Sequence, residues 1–231
     1  LALRPGLFLN VHASPLPELR GPSPIETAIA EGWESTEISL MRMVQRMDAG
    51  DVAYRQKVTI PPSATGSELR AKIAAQSATL AQRIPDAVAL DSGWDQQDET
   101  TATWCRKICK DDARLDFSLP AQTLVNRARA FEGWPGSTIA IANETLKVAD
   151  IQQTDQCGLP GEILSVDERL EIATGQGSLS IGMIQRPSRR MIPFAEYQRT
   201  TPVTPGQFLS YPLAEPLVRR QFAYRPPRSS R

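Results

Sequence analysis

Residues 8–25 open on an apolar run, break into a stretch carrying Pro15, Pro17, Gly21 and Pro22, and end on a helix start. That order reads as a strand over residues 7–11, then an irregular loop, then a helix. Ser23-Pro24-Ile25-Glu26 supplies the start signal: Ser23 as N-cap, Pro24 at the first helical position and Glu26 closing a capping box. The helix is expected to run to about Glu31 and stop at Gly32.

The strand delivers Asn10 and His12, the only histidine of the chain, to its exit. Residues at i and i+2 of an extended segment point the same way, so the two can face one substrate. An Asn-x-His pair also occurs as a satisfied polar pair with no chemical duty. The loop just past the strand favours a site, because such loops often carry functional groups. The turn Met47-Asp48-Ala-Gly50-Asp51 can return a carboxylate to the imidazole, an approach that sequence leaves open.

Composition sets limits on that reading. An apolar fraction of 41% and a charged fraction of 23% suit a folded chain. No apolar run approaches the roughly 18 residues that a membrane span needs. The start, Leu-Ala-Leu-Arg-Pro-Gly, resembles neither a signal peptide nor an initiator segment, so a chain trimmed upstream is expected. Three cysteines argue against an oxidised scaffold, and a cytoplasmic location follows as the default. Cys105 and Cys109 have no further Cys or His beside them to complete a tetrahedral site, so no metal is expected. Net charge is zero, yet nine arginines stand from Arg186 onward against Glu196 and Glu215. That bias can draw in a polyanion such as RNA; a solvated tail is the plainer reading for the last stretch.

Two domains are expected. Strands over 37–44 and 52–60 flank the Asp48 turn, and Thr65-Gly-Ser-Glu68 opens a helix carrying Leu69, Ile73, Leu80 and Ile84 inward. Residues 1–90 form the first domain and the polar stretch 91–103 a linker. A helix follows Leu119-Pro120, with Leu124, Val125, Ala128 and Phe131 inward and Arg127 and Arg129 outward. Short strands over 137–142, 145–151, 162–166, 170–174 and 178–185 predict a small barrel within 104–200. Residues 201–231 read as an extended tail.

Several motifs in one order resemble the folate-dependent formyltransferases, most closely the branch acting on methionyl initiator tRNA. They are Asn10-Val-His12-Ala-Ser14-Pro-Leu-Pro17-Glu-Leu-Arg20-Gly21-Pro-Ser-Pro24-Ile25 and Met47-Asp48-Ala-Gly50-Asp51, then Ala102-Thr-Trp-Cys-Arg-Lys107-Ile, Arg114-Leu-Asp116-Phe and Trp134-Pro-Gly136. Gly161-Glu-Ile, Thr174-Gly175-x-Gly177 and Arg190-Met191 continue the likeness. The resemblance implies an α/β fold, the C-terminal part of a Rossmann-like formyltransferase domain followed by an OB-like β-barrel. It implies Asn10, His12 and Asp48 as the catalytic triad, with Ser14, Asp48 and Asp51 as contacts to 10-formyltetrahydrofolate. The implied acceptor is the amino group of methionyl initiator tRNA, and an intact enzyme is expected to be a monomer.

Two departures stand out. Pro15 occupies a position where the family has leucine, which restricts Ser14 to extended conformations. The family's domain begins about 90–100 residues before its Asn-x-His motif, and strands of its parallel sheet need neighbours and covering helices. This chain is therefore expected to be a fragment, one of two complementing pieces with a separate N-terminal polypeptide, or an inactive remnant. Arg20, near the Ser23 helix start, is expected either to meet an anionic group or to fix its own loop. Two other functions remain open: a sugar-nucleotide or other amine formyltransferase, which the wording of residues 42–50 also resembles, and a non-catalytic RNA-binding module.

Overall fold

Strand β1 (Leu9–His12) pairs antiparallel with β2 (Ser35–Arg42), and β2 with β3 (Val52–Thr59), in a three-stranded sheet. Between β1 and β2 runs helix α1 (Pro24–Ala30); α2 (Gly66–Ala81) and α3 (Ile84–Ala89) follow β3. The computed structural model describes residues 8–89, 93–142 and 144–220. Residues 1–7 and 90–92, expected in the first domain and linker, and residues 221–231 of the expected tail lie outside the described residues.

Local sequence explains these starts and stops. Thr65 and Glu68 form the expected reciprocal capping box on α2. Gly66 lets that helix start lie against the Ala130 carbonyl, where a β-carbon would collide. The expected single helix is broken after Ala81, and Pro85 falls in the first turn of α3, where its missing N–H is harmless. Ser23 is the N-cap of α1, but its side chain makes no capping bond. Its hydroxyl instead accepts the Ile108 N–H at 3.2 Å, so Glu26 has no box to close and pairs with Arg70.

The second half begins with β4 (Trp104–Cys105), a 3₁₀ turn at Lys110–Ala113 and α4 (Ala121–Ala130). Then come β5 (Ser137–Ile141), β6 (Glu144–Thr154), β7 (Ile163–Ser165), β8 (Leu170–Ala173) and β9 (Ser178–Gln185). These run antiparallel in the order β5-β6-β9-β8-β7, with β10 (Ile192–Pro193) added beside β9. The strands match the turn spacing, but the expected OB-like barrel does not form: no sheet closes among the described residues. Closure would need a ladder between β5 and β7. Each edge is already covered by irregular chain, β5 by the Arg114–Thr138 bridge and β7 by residues 206–209. An edge whose donors and acceptors are satisfied has nothing left to zip against its opposite number.

Among the described residues, two large apolar clusters fill the molecule, beside a small third one of Leu16, Met41 and Val52. One gathers α1, α2, β2 and β3; the other lies between the large sheet, α4 and α5 (Phe194–Thr200). Helix α4 serves both, through Leu124 in the second and Ala130 in the first. Arg127, expected to face outward, is buried, 3.6 Å from Asp112 and stacked on Phe131.

The segment expected as a tail returns to the first half. Val203 and Leu209 are buried against the large sheet, Leu217 enters the first cluster, and β11 (Val218–Arg219) pairs with β4. No helix among the described residues is long and apolar enough to cross a membrane. Leu217→Ala is expected to lower unfolding free energy by about 2–4 kcal/mol through the cavity it leaves. Urea denaturation measures this, and a loss below about 0.5 kcal/mol would show that the returning segment is uncoupled from the core.

Candidate active site

Alternation along β1 turns Asn10 and His12 to the same face of the sheet. His12 is only 7% exposed. Its Nε2 lies 3.0 Å from the Leu19 carbonyl oxygen, and its Nδ1 lies 3.8 Å from Asp48 Oδ2. A carbonyl only accepts, so Nε2 carries a proton and Nδ1 is the nitrogen turned to the carboxylate. The separation exceeds a hydrogen bond and becomes a charge contact when Nδ1 is protonated. The structure thus brings together the imidazole and carboxylate whose meeting sequence left open, with the half-buried Asn10 on the same face.

The other two expected residues sit at the margins. Ser14 is fully buried; its hydroxyl donates to the Glu18 carbonyl at 2.6 Å, and its own carbonyl accepts from Ser39 Oγ at 2.7 Å. The hydroxyl therefore closes the loop that follows β1. Asp51 stands at the end of the turn, half-buried, its carbonyl accepting the Arg42 N–H at 2.9 Å.

Backbone geometry aims these groups. Leu19 and Asp48 both adopt left-handed conformations, with φ of 52° and 50°, which cost an L-residue roughly 1–2 kcal/mol each. The first turns its carbonyl to His12, and the second presents its carboxylate to the Gly21 N–H at 2.8 Å. Gly21 has φ of 110°, and a β-carbon there would strike the Cys105 carbonyl. Residues 103–105 hold this loop in place. The Leu19 and Arg20 N–H groups donate to Thr103, each at 2.9 Å, and the Cys105 N–H donates to the Arg20 carbonyl at 2.7 Å.

Arg20 fixes its loop from the interior, not from the surface. It is fully buried and stacked on Trp104. Its Nε and Nη2 donate to Gln97 Oε1 at 3.0 and 2.7 Å, and Nη1 and Nη2 reach the Glu99 carboxylate at 3.1 and 2.9 Å. The guanidinium holds the Glu99 carboxyl below the usual carboxylate range. Gln97 in turn donates through Nε2 to the Asp48 and Gly50 carbonyls, at 2.8 and 2.7 Å. Sequence reasoning missed Gln97 and Glu99 because they lie in a polar, aperiodic stretch that gives no local signal, and it gave Thr103, within the Ala102–Lys107 motif, no part in the site. Among the described residues, no three His, Cys, Asp or Glu side chains are grouped to hold a metal ion.

Two family models match along the chain. The family model described as formyl transferase matches residues 1–84, and that described as formyl transferase, C-terminal domain, matches residues 107–202. A methionyl-tRNA formyltransferase from Roseiflexus castenholzii is 32% identical over 213 residues, which cover 90% of this chain and 68% of that protein. The chain belongs to the formyl transferase family. A second relative so named, from Moorella thermoacetica, is 31% identical over 205 residues, covering 87% of this chain and 66% of its own length. The chain thus spans about two thirds of the length of these curated relatives. Among solved structures, an N-formyltransferase from Helicobacter canadensis, in complex with folinic acid and dTDP-3-aminofucose, superposes with a TM-score of 0.61. At 17% identity over 78% of this chain and 66% of that one, this likeness shows a shared fold.

Behind the site loop of this formyl transferase chain lies the Cys105 thiol. It donates to the Arg20 carbonyl at 3.3 Å and accepts the Ser23 N–H at 3.3 Å. Burial pushes it up to about 11. A raised thiol pKa means less thiolate, so at pH 8 its reactive fraction falls roughly a hundredfold below that of an ordinary cysteine. The exposed Cys109 and Cys157 should therefore react promptly with a thiol reagent at that pH, and Cys105 only after denaturant is added. Three thiols titrating at one rate in the folded chain would contradict the burial.

Proposed function

We propose that this chain carries the reacting groups of an amine N-formyltransferase using 10-formyltetrahydrofolate. The observation that carries the reading is the meeting of His12 with Asp48 on the face that Asn10 shares. The folate supplies the formyl carbon, whose bond to a folate nitrogen is exchanged for one to the amine, the amine losing a proton and the folate nitrogen gaining one. The Asn10 amide is the donor suited to the formyl oxygen as negative charge builds on it. His12 is less suited to that task, because Nε2 is already engaged by Leu19. Its Nδ1 instead accepts the amine's proton, and the resulting imidazolium faces the Asp48 carboxylate. Asp51 is proposed to reach the folate through its half-buried carboxylate, and Ser14 to shape the pocket through the loop it closes. An N-terminal polypeptide, continuous with this chain or separate, is proposed to complete that pocket.

Two acceptors divide the supporting observations. An amino-sugar nucleotide stands first on structural likeness, given the Helicobacter canadensis enzyme. Methionyl initiator tRNA is supported by the 31–32% identity to relatives bearing that name and by the arginines of the C-terminal stretch. The test supplies the gene product with 10-formyltetrahydrofolate and each acceptor in parallel. Formylation of one acceptor identifies it, and formylation of neither removes the enzyme reading. With the productive acceptor, Asn10→Ala is expected to lower kcat about a hundredfold, roughly 3 kcal/mol of transition-state stabilisation. A loss under about threefold would take Asn10 out of the chemistry.

A further inference from the structure

Gln97 falls between the two stretches matched by the family models. It is nevertheless almost fully buried, and every hydrogen-bonding position of its amide is filled. The oxygen accepts twice from Arg20; the nitrogen donates to the Asp48 and Gly50 carbonyls. The Asp48 carboxylate then accepts the Gly21 N–H, which returns the path to the residue after Arg20. The result is a closed circuit, Arg20 to Gln97 to Asp48 to Gly21. Both groups that face His12 hang from it: the Leu19 carbonyl, next to Arg20 in sequence, and the Asp48 carboxylate.

We infer that Gln97 is a positioning residue, its amide fixing the Asp48 turn against the Arg20 loop and so setting how the carboxylate faces His12. The catalytic consequence rests on the N-formyltransferase reading; the structural consequence does not. Asp48 keeps a left-handed backbone while its carbonyl is held by Gln97. Without that donor the turn relaxes toward ordinary φ, and the carboxylate turns with it. Glu99 makes a useful contrast. It shares Arg20 with Gln97 and also pairs with Arg46, but it sends no bond to the 48–50 turn.

The experiment uses proton NMR of the full chain, whose single histidine makes every imidazole signal that of His12. Gln97→Glu keeps the acceptor for Arg20 and removes the donor to the turn. Its His12 signals are expected to shift most of the way toward their positions in Asp48→Asn. Glu99→Gln is expected to leave them in place. Parent-like signals in folded Gln97→Glu, or an equal displacement in Glu99→Gln, would overturn the inference. If Gln97→Glu does not fold, Gln97→Asn decides by the same criterion, since its shorter side chain cannot span both partners. In the formylation assay the folded variant is expected to lose about tenfold to a hundredfold in kcat, with KM for the folate nearly unchanged. The NMR result stands whether or not formyl transfer is found, so failure of the positioning role is distinguishable from failure of the assigned reaction.

Discussion

A buried guanidinium must find acceptors, and Arg20 finds them 77 and 79 positions later in Gln97 and Glu99. Leaving such a charge without partners costs about 3–5 kcal/mol, so the two stretches are bound to each other energetically. Residues 103–105 add backbone bonds alongside, and Trp104 gives the guanidinium an aromatic face. The loop after β1, the turn before β3 and the chain between the family-model matches therefore behave as one unit. That unit is what allows Leu19 and Asp48 to remain in left-handed conformations that neither would choose alone.

The same unit determines what His12 can do. With the Leu19 carbonyl at Nε2, the ring is held in one tautomer, and only Nδ1 is left without a carbonyl partner. The imidazole and Asp48 then stand in a fixed relation, the ring's free nitrogen turned to the carboxylate. Asn10 shares that face of the sheet. A small change in the loop is thus a change in chemistry, because the carbonyl that fixes the tautomer belongs to a strained residue.

Patterns that are local in sequence were legible. The strand–loop–helix order of residues 8–30, the Thr65–Glu68 box and the strands of the large sheet follow from capping chemistry, turn residues and alternation. Relations decided by distant partners were not. Open and closed sheets share the same strand spacing, and only the chain lying along β5 and β7 distinguishes them. Ser23 carries a capping residue's side chain, but Ile108 takes it. Arg127 reads as a surface residue on a helical wheel until Asp112 supplies its counter-charge. The candidate site divides along the same line. Asn10, His12 and Asp48 stand in recognisable motifs, whereas the Gln97 that links their supports lies in a stretch without period or motif.

Strand β11 carries a consequence for synthesis. It pairs with β4, and β4 lies beside Arg20, so the wall behind the site is completed by nearly the last described residues of the chain. A nascent polypeptide leaving the ribosome can form the β1–β2–β3 sheet and bury most of its first core early. It cannot seal that wall until Val218 has emerged. Sealing of this region thus waits for the segment around Val218, long after Asn10, His12 and Asp48 have been made.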